Sequence, residues 1–119
     1  MQSKNDALKH QLAKASEINI TVTGRKSGRP ISRPIWFVFE GGTVYLLPVK
    51  GSDTQWYKNV LQNPSLQIEA DGARANVQAT AVTGKTELSD VVTKFRAKYA
   101  GDVKKYYSKF DVAVVAKID

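Results

Sequence analysis

The dipeptide Asp71-Gly72 constrains the fold of this chain more than any other pair of residues. Leu66, Ile68 and Ala70 alternate with Gln67 and Glu69 before it, and Ala73 to Val82 follows as a second extended run. A two-residue hairpin of type I′ needs positive φ at both central positions, which Asp-Gly supplies. Gly41-Gly42 repeats the signal between Ile31 to Glu40 and Thr43 to Val49. Hairpins of this kind commit the sheet to antiparallel pairing, so a doubly wound parallel fold is disfavoured.

The remaining elements follow from periodicity. Ile18, Ile20 and Val22 alternate with polar residues as a half-buried strand. In the run Ile31 to Glu40, Ile35, Phe37 and Phe39 share one side while Trp36 and Val38 share the other. A strand apolar on both faces is central in its sheet, or has its second face covered by a ligand or a second copy of the chain. Residues 1 to 17 form an amphipathic helical segment through Ala7, Leu8, Leu12 and Ala15, expected to pack across an opening of the domain. A helix runs to Gln62, capped by Asp53 or Thr54 and ended by Asn63-Pro64. A longer one spans Thr86 to Ala100, with Thr86 or Ser89 as cap and Gly101 as stop. A short helical turn holds Tyr106 and Tyr107, and Phe110 to Ile118 closes the chain as a strand. The expectation is one α+β domain over residues 1–119, mainly antiparallel, with about six strands curled into a small barrel whose gaps are plugged by helices.

Composition narrows the chemistry. With no cysteine and one histidine, His10, the chain lacks the material for a thiolate nucleophile, a Ser-His-Asp triad or a histidine metal cluster, and no metal site is expected. No apolar run approaches the roughly 20 residues that span a bilayer, and a cytoplasmic location is expected. The net charge of +7 favours anionic partners. No nucleic-acid motif accompanies it, so a small anionic ligand rather than nucleic acid is the expected partner.

The charge is concentrated in the turn between the first two strands. Thr21 to Pro34 carries Arg25, Lys26, Arg29 and Arg33 with Gly24, Gly28 and Ser27. Glycines free the backbone to aim successive N-H groups at one point, and the guanidinium groups grip oxyanions with planar forks. A phosphate suits such a turn; so does a solvated loop tip. The spacing matches neither a Walker loop nor a dinucleotide fingerprint.

Thr-Gly-Arg-Lys-Ser-Gly at residues 23 to 28, Pro30 and Pro34, Lys50-Gly51, and Trp56-Tyr57-x-Asn59-x-x-x-Asn63-Pro64 together resemble the deazaflavin-dependent nitroreductase and quinone reductase family over residues 17–118. The resemblance implies a split β-barrel of the flavin-binding kind and a hydride donor, reduced coenzyme F420 (8-hydroxy-5-deazaflavin), with flavin mononucleotide (FMN) as the alternative. By the same resemblance, Arg25, Lys26, Ser27, Gly28 and Arg33 would hold the cofactor's phosphate and acidic tail. Pro34, Trp36 and Trp56 would lie against its ring. Pro48, Lys50 and Gly51 would supply main-chain groups and a cation. Tyr99 and Tyr106, with Tyr107 beside them, would be candidate proton donors, as a serine or water would, to an electron-poor acceptor such as a quinone, nitro compound or enone. A non-catalytic cofactor carrier is the competing expectation, and a homodimer would account for the doubly apolar strand.

Overall fold

The computed structural model describes residues 5 to 118; residues 1–4 of the expected N-terminal helical segment, and residue 119, lie outside them. Among the described residues there are seven strands and four α-helices. They are α1 (Asp6–Leu12), β1 (Ile18–Thr23), β2 (Pro30–Ile35), β3 (Phe37–Glu40), β4 (Thr43–Leu46), α2 (Gln55–Gln62), β5 (Ser65–Ala70), β6 (Ala73–Val82), α3 (Lys85–Tyr99), α4 (Asp102–Tyr106) and β7 (Ala113–Lys117), with a 3₁₀ turn at Gly51–Asp53 before α2. All pairing between strands is antiparallel, in the order β2-β1-β5-β6-β7-β4-β3.

Both hairpins form as their dipeptides require. Asp71 and Gly72 have φ of 49° and 85°, and Gly41 and Gly42 have 58° and 78°. The sheet curls because β6 changes partner along its length. Ala73 to Gln78 pair with β5, whereas Ala79 to Val82 pair with β7. One ten-residue strand thus belongs to both halves of the barrel.

The inner surface is a continuous core in which Ile20, Phe37, Val44, Leu46, Ile68 and Val114 are fully buried. Leu8 and Leu12 of α1 join that core against β5 and β6, so the amino-terminal helix plugs the barrel as its two leucines suggest. A second cluster lies on the outer face, where Val91, Val92 and Phe95 of α3 pack with Val103 and Tyr107 on Val38 and Ala113.

Three expectations are corrected here. The run Ile31 to Glu40 is not one strand but two, parted at Trp36, because the Phe37 main chain is captured by α3. The Phe37 amide donates to the Tyr99 hydroxyl at 3.0 Å, and its carbonyl accepts from Lys98 Nζ at 2.9 Å. The second apolar face at Val38 is covered by α3 of the same chain, so it calls for neither a ligand nor a second copy.

The expected helix caps also differ. Thr54 precedes α2, but its Oγ1 accepts from the Lys50 amide at 2.8 Å instead of capping the helix. Gly84 precedes α3 without a side-chain cap, and the stop residue is Ala100 at φ 54°, one position before Gly101.

Candidate functional site

The cationic turn is an ordered knot. The Gly24 amide donates to the Arg29 carbonyl at 2.8 Å, the Gly28 amide to the Gly24 carbonyl at 2.9 Å, and the Arg29 amide to Ser27 Oγ at 3.2 Å. Gly28 sits at φ +71°, which favours glycine, and a Cβ on Gly24 would stand 2.6 Å from Ser27 Oγ and displace that hydroxyl. The amides of Lys26 and Ser27 find no acceptor among the described residues. Consecutive free N-H groups beside a lysine are the chemistry of an anion nest.

Arg25 has a different task from the one its sequence suggests. Its Nη2 donates to Gln55 Oε1 at 2.7 Å and its Nη1 to Asn59 Oδ1 at 2.8 Å, while its own amide reaches the same Asn59 oxygen at 3.1 Å. The guanidinium therefore fastens the turn to α2, and Asn59, 4% exposed, is buried by serving as its acceptor. Sequence reasoning treated Asn59 only as part of a motif.

Lys26 and Arg33 are the cations left facing the groove. Arg33 stands opposite Ile20 in the β1–β2 register, so it shares the face that turns coreward at Ile31 and Ile35. A cation pointing inward on an edge strand guards that edge or meets a ligand. Gly24, Arg25, Lys26, Ser27, Arg33, Gln55 and Asn59 surround a depression of about 310 Å³.

Next to it lies an apolar cavity of about 280 Å³. Pro34, Ile35, Trp36, Leu47, Val49, Trp56, Tyr106 and Tyr107 line it, with Glu17 as the one charged residue. Trp36 is stacked on Tyr99, with ring centroids 4.3 Å apart and planes 7° off parallel, and takes the edge of Tyr106 at 5.7 Å. Trp36 is thus held from two sides while its remaining surface meets the cavity. The groove and cavity are contiguous along the chain in two places, Arg33 to Pro34 on β2 and Gln55 to Trp56 on α2.

Four expected site residues stand elsewhere. The Tyr99 hydroxyl accepts from the Phe37 amide and lies 2.8 Å from the carbonyls of Ser16 and Phe37, either of which takes its hydrogen. Burial also raises its pKa, so it is a poor proton source and acts instead as a brace. Pro48 is buried with its carbonyl accepting from the Gly51 amide at 3.1 Å, and Lys50 and Gly51 close the 3₁₀ turn with Asp53 and Thr54. Their main-chain groups are engaged inside the protein. Gly51 takes φ +56°, and a Cβ there would collide with Asp111.

Asp111 accepts from the Ser52 amide at 2.9 Å and from Ser52 Oγ at 2.5 Å, with Lys109 at 3.6 Å. Desolvation raises the Asp111 pKa, but the Ser52 hydrogen bonds and the Lys109 charge outweigh it and hold the carboxyl below its ordinary value.

A curled antiparallel sheet of two half-barrels sharing a strand, with an aromatic cavity at its seam, defines a split β-barrel. Its solved relatives in fold include an F420H2-dependent reductase, FDR-A (20% identity, 86% of this chain and 94% of that one, TM-score 0.68). A chain described as a domain-swapped dimer (20% identity, 97% and 100% covered, TM-score 0.69) and HutZ, the heme storage protein from Vibrio cholerae (14% identity, 98% and 92%, TM-score 0.72), share the architecture. Such identities speak for the fold, and the fold serves a reductase and a storage protein alike. By its sequence the chain belongs to the DUF2255 family, described as an uncharacterized protein conserved in bacteria, whose model matches residues 9–116. Among the described residues no helix is long and apolar enough to cross a membrane.

Proposed function

We propose that this protein is a split-barrel oxidoreductase that binds a phosphate-bearing deazaflavin, coenzyme F420, with FMN as the alternative, and passes a hydride to an electron-poor quinone, nitro compound or enone. The observation that carries the reading is the junction of two unlike surfaces. An aromatic slot and a cationic groove are lined by residues that follow one another in the chain, at Arg33-Pro34 and at Gln55-Trp56, so one ligand with a flat ring and an anionic tail would reach both. The likeness to FDR-A agrees with this at the level of fold.

The residues present suit such a ligand. Lys26, Arg33 and the free amides of Lys26 and Ser27 would hold a phosphate. Arg25 would keep that loop in place by its bonds to α2. Pro34, Trp36 and Trp56 would flank the ring and exclude water from one face of it. The bound cofactor would supply the hydride. Tyr106, 53% exposed on α4 at the cavity rim, is the side chain here that can offer a proton to an acceptor arriving from solvent. Val49, also exposed on the lining, offers none.

Fluorescence titration of the purified protein with F420 and with FMN tests the reading, followed by stopped-flow oxidation of the reduced cofactor by menadione. Failure of both cofactors to bind would overturn it, and tight binding without turnover of any acceptor would leave a carrier. The likeness to a domain-swapped dimer supports a homodimer, which light scattering of the eluted protein would measure directly.

A further inference from the structure

The cavity holds one charged residue that the proposed function leaves idle. Glu17 lies at the rim of an otherwise apolar, aromatic lining, in a chain with 18 basic residues, yet none of the ion pairs among the described residues includes it. Its position is fixed by the main chain on its amino-terminal side. The Ala15 carbonyl accepts from Lys98 Nζ at 3.1 Å and the Ser16 carbonyl lies 2.8 Å from the Tyr99 hydroxyl. Lys98 and Tyr99 also hold Phe37, next to Trp36, so the carboxylate and the indole wall share one support. The Glu17 charge adds to the rise in the Tyr99 pKa, behind burial and behind the opposing Phe37 hydrogen bond.

We infer that Glu17 is the residue that reads the edge of the bound ring, selecting a flat heterocycle that presents an N-H donor there, such as the imide of a pyrimidinedione. The inference rests on the ring lying in this cavity. A carboxylate accepts and cannot donate, so a ring edge without a donor forgoes this bond and sets an oxygen or an apolar edge against a charge that water would otherwise solvate. Pockets of this kind take orientation from a few fixed polar groups, and a group left unmatched is what rejects the wrong ligand. The tail groove, with Lys26 and Arg33, would contribute affinity without distinguishing one ring edge from another.

Lumiflavin, which has the ring and the imide N-H but no phosphate, and 3-methyllumiflavin, which lacks the N-H, isolate this contact from the groove. Titration by flavin fluorescence is expected to show wild-type protein binding lumiflavin about tenfold more tightly, the scale of one charge-assisted hydrogen bond. Glu17→Gln keeps the size of the side chain and an acceptor oxygen but loses the charge, so the preference should fall to about threefold. Circular dichroism melting should be unchanged, because Glu17 is exposed and unpaired. Equal affinity for the two rings in the wild type, or an undiminished preference in Glu17→Gln, would overturn the inference while leaving cofactor binding standing. Failure of lumiflavin to bind while F420 or FMN binds would overturn the inference alone, and failure of all three would overturn both.

Discussion

Trp36 and Tyr99 lie face to face at 4.3 Å, 63 positions apart in sequence, and the Tyr99 hydroxyl is bonded to the residue that follows Trp36. The pair joins α3 to the break between β2 and β3 through a ring stack and a polar anchor at once. Its two parts are separable by mutation. Tyr99→Phe keeps the stack and removes the hydroxyl, leaving the half-buried Phe37 amide without its acceptor, and is expected to lose about 1 to 2 kcal/mol in urea unfolding. Tyr99→Ala removes the stack as well and should lose about 3 kcal/mol or more. Fluorescence from Trp36 should shift to the red in the second variant and stay nearly in place in the first.

Arg25→Ala is expected to destabilise the fold by about 1 to 3 kcal/mol, since it removes the charged one of the two N-H contacts on the buried Asn59 oxygen, leaving only the main-chain amide, and cuts the tie to Gln55. Lys26→Ala with Arg33→Ala should leave the melting temperature within a degree or two and weaken cofactor binding at least tenfold. Thermal melts and cofactor titrations run on the two variants side by side measure the division of labour. Equal loss of stability in both would refute it.

Gly51→Ala forces a methyl group toward Asp111 and the Lys109 side chain in a backbone region that L residues resist. A loss of about 2 kcal/mol or more is expected from the strain and the collision together. Gly72→Ala, at φ +85° but with open space around it, should lose less, about 1 kcal/mol. Denaturant midpoints of the two variants give the comparison.

Acid should weaken the Ser52–Asp111 anchor in a defined direction. Because the folded-state pKa of Asp111 lies below the ordinary value of 3.8, its contribution is present at neutral pH and is lost as pH falls through the folded pKa. Asp111→Asn is expected to lower stability at pH 7 and to flatten its dependence on pH below about 4. Chemical unfolding across pH 2 to 7 would show an unchanged acid slope if the carboxylate were idle.

The parts of the fold legible in the sequence are those whose causes are local. Asp71-Gly72 and Gly41-Gly42 carry their turn geometry in their own backbone freedom, and alternation at Ile18, Ile20 and Val22 marks the buried face without outside help. The break at Trp36 has a cause 62 residues beyond Phe37, so the apolar run from Ile35 to Phe39 reads as unbroken. Helix caps fail for a related reason: Thr54 has the right side chain, but the Lys50 amide takes it.

At the site, residue type announced the cation-rich turn and aromatic slot. It could not assign tasks within them. Arg25 and Arg33 look alike in sequence, yet one is bound to Gln55 and Asn59 while the other faces the groove. Glu17 gave no signal, being one acidic residue between a helix and a strand. Only the cavity around it makes it conspicuous.

The two outer strands of the sheet, β2 and β3, are consecutive in the chain and meet at a single residue, Trp36. The barrel is therefore closed on that side by covalent bonds and by side chains rather than by a ladder of amides. Access to the slot at that seam is therefore bounded by the Trp36 indole and its tyrosine neighbours, with no strand ladder across it.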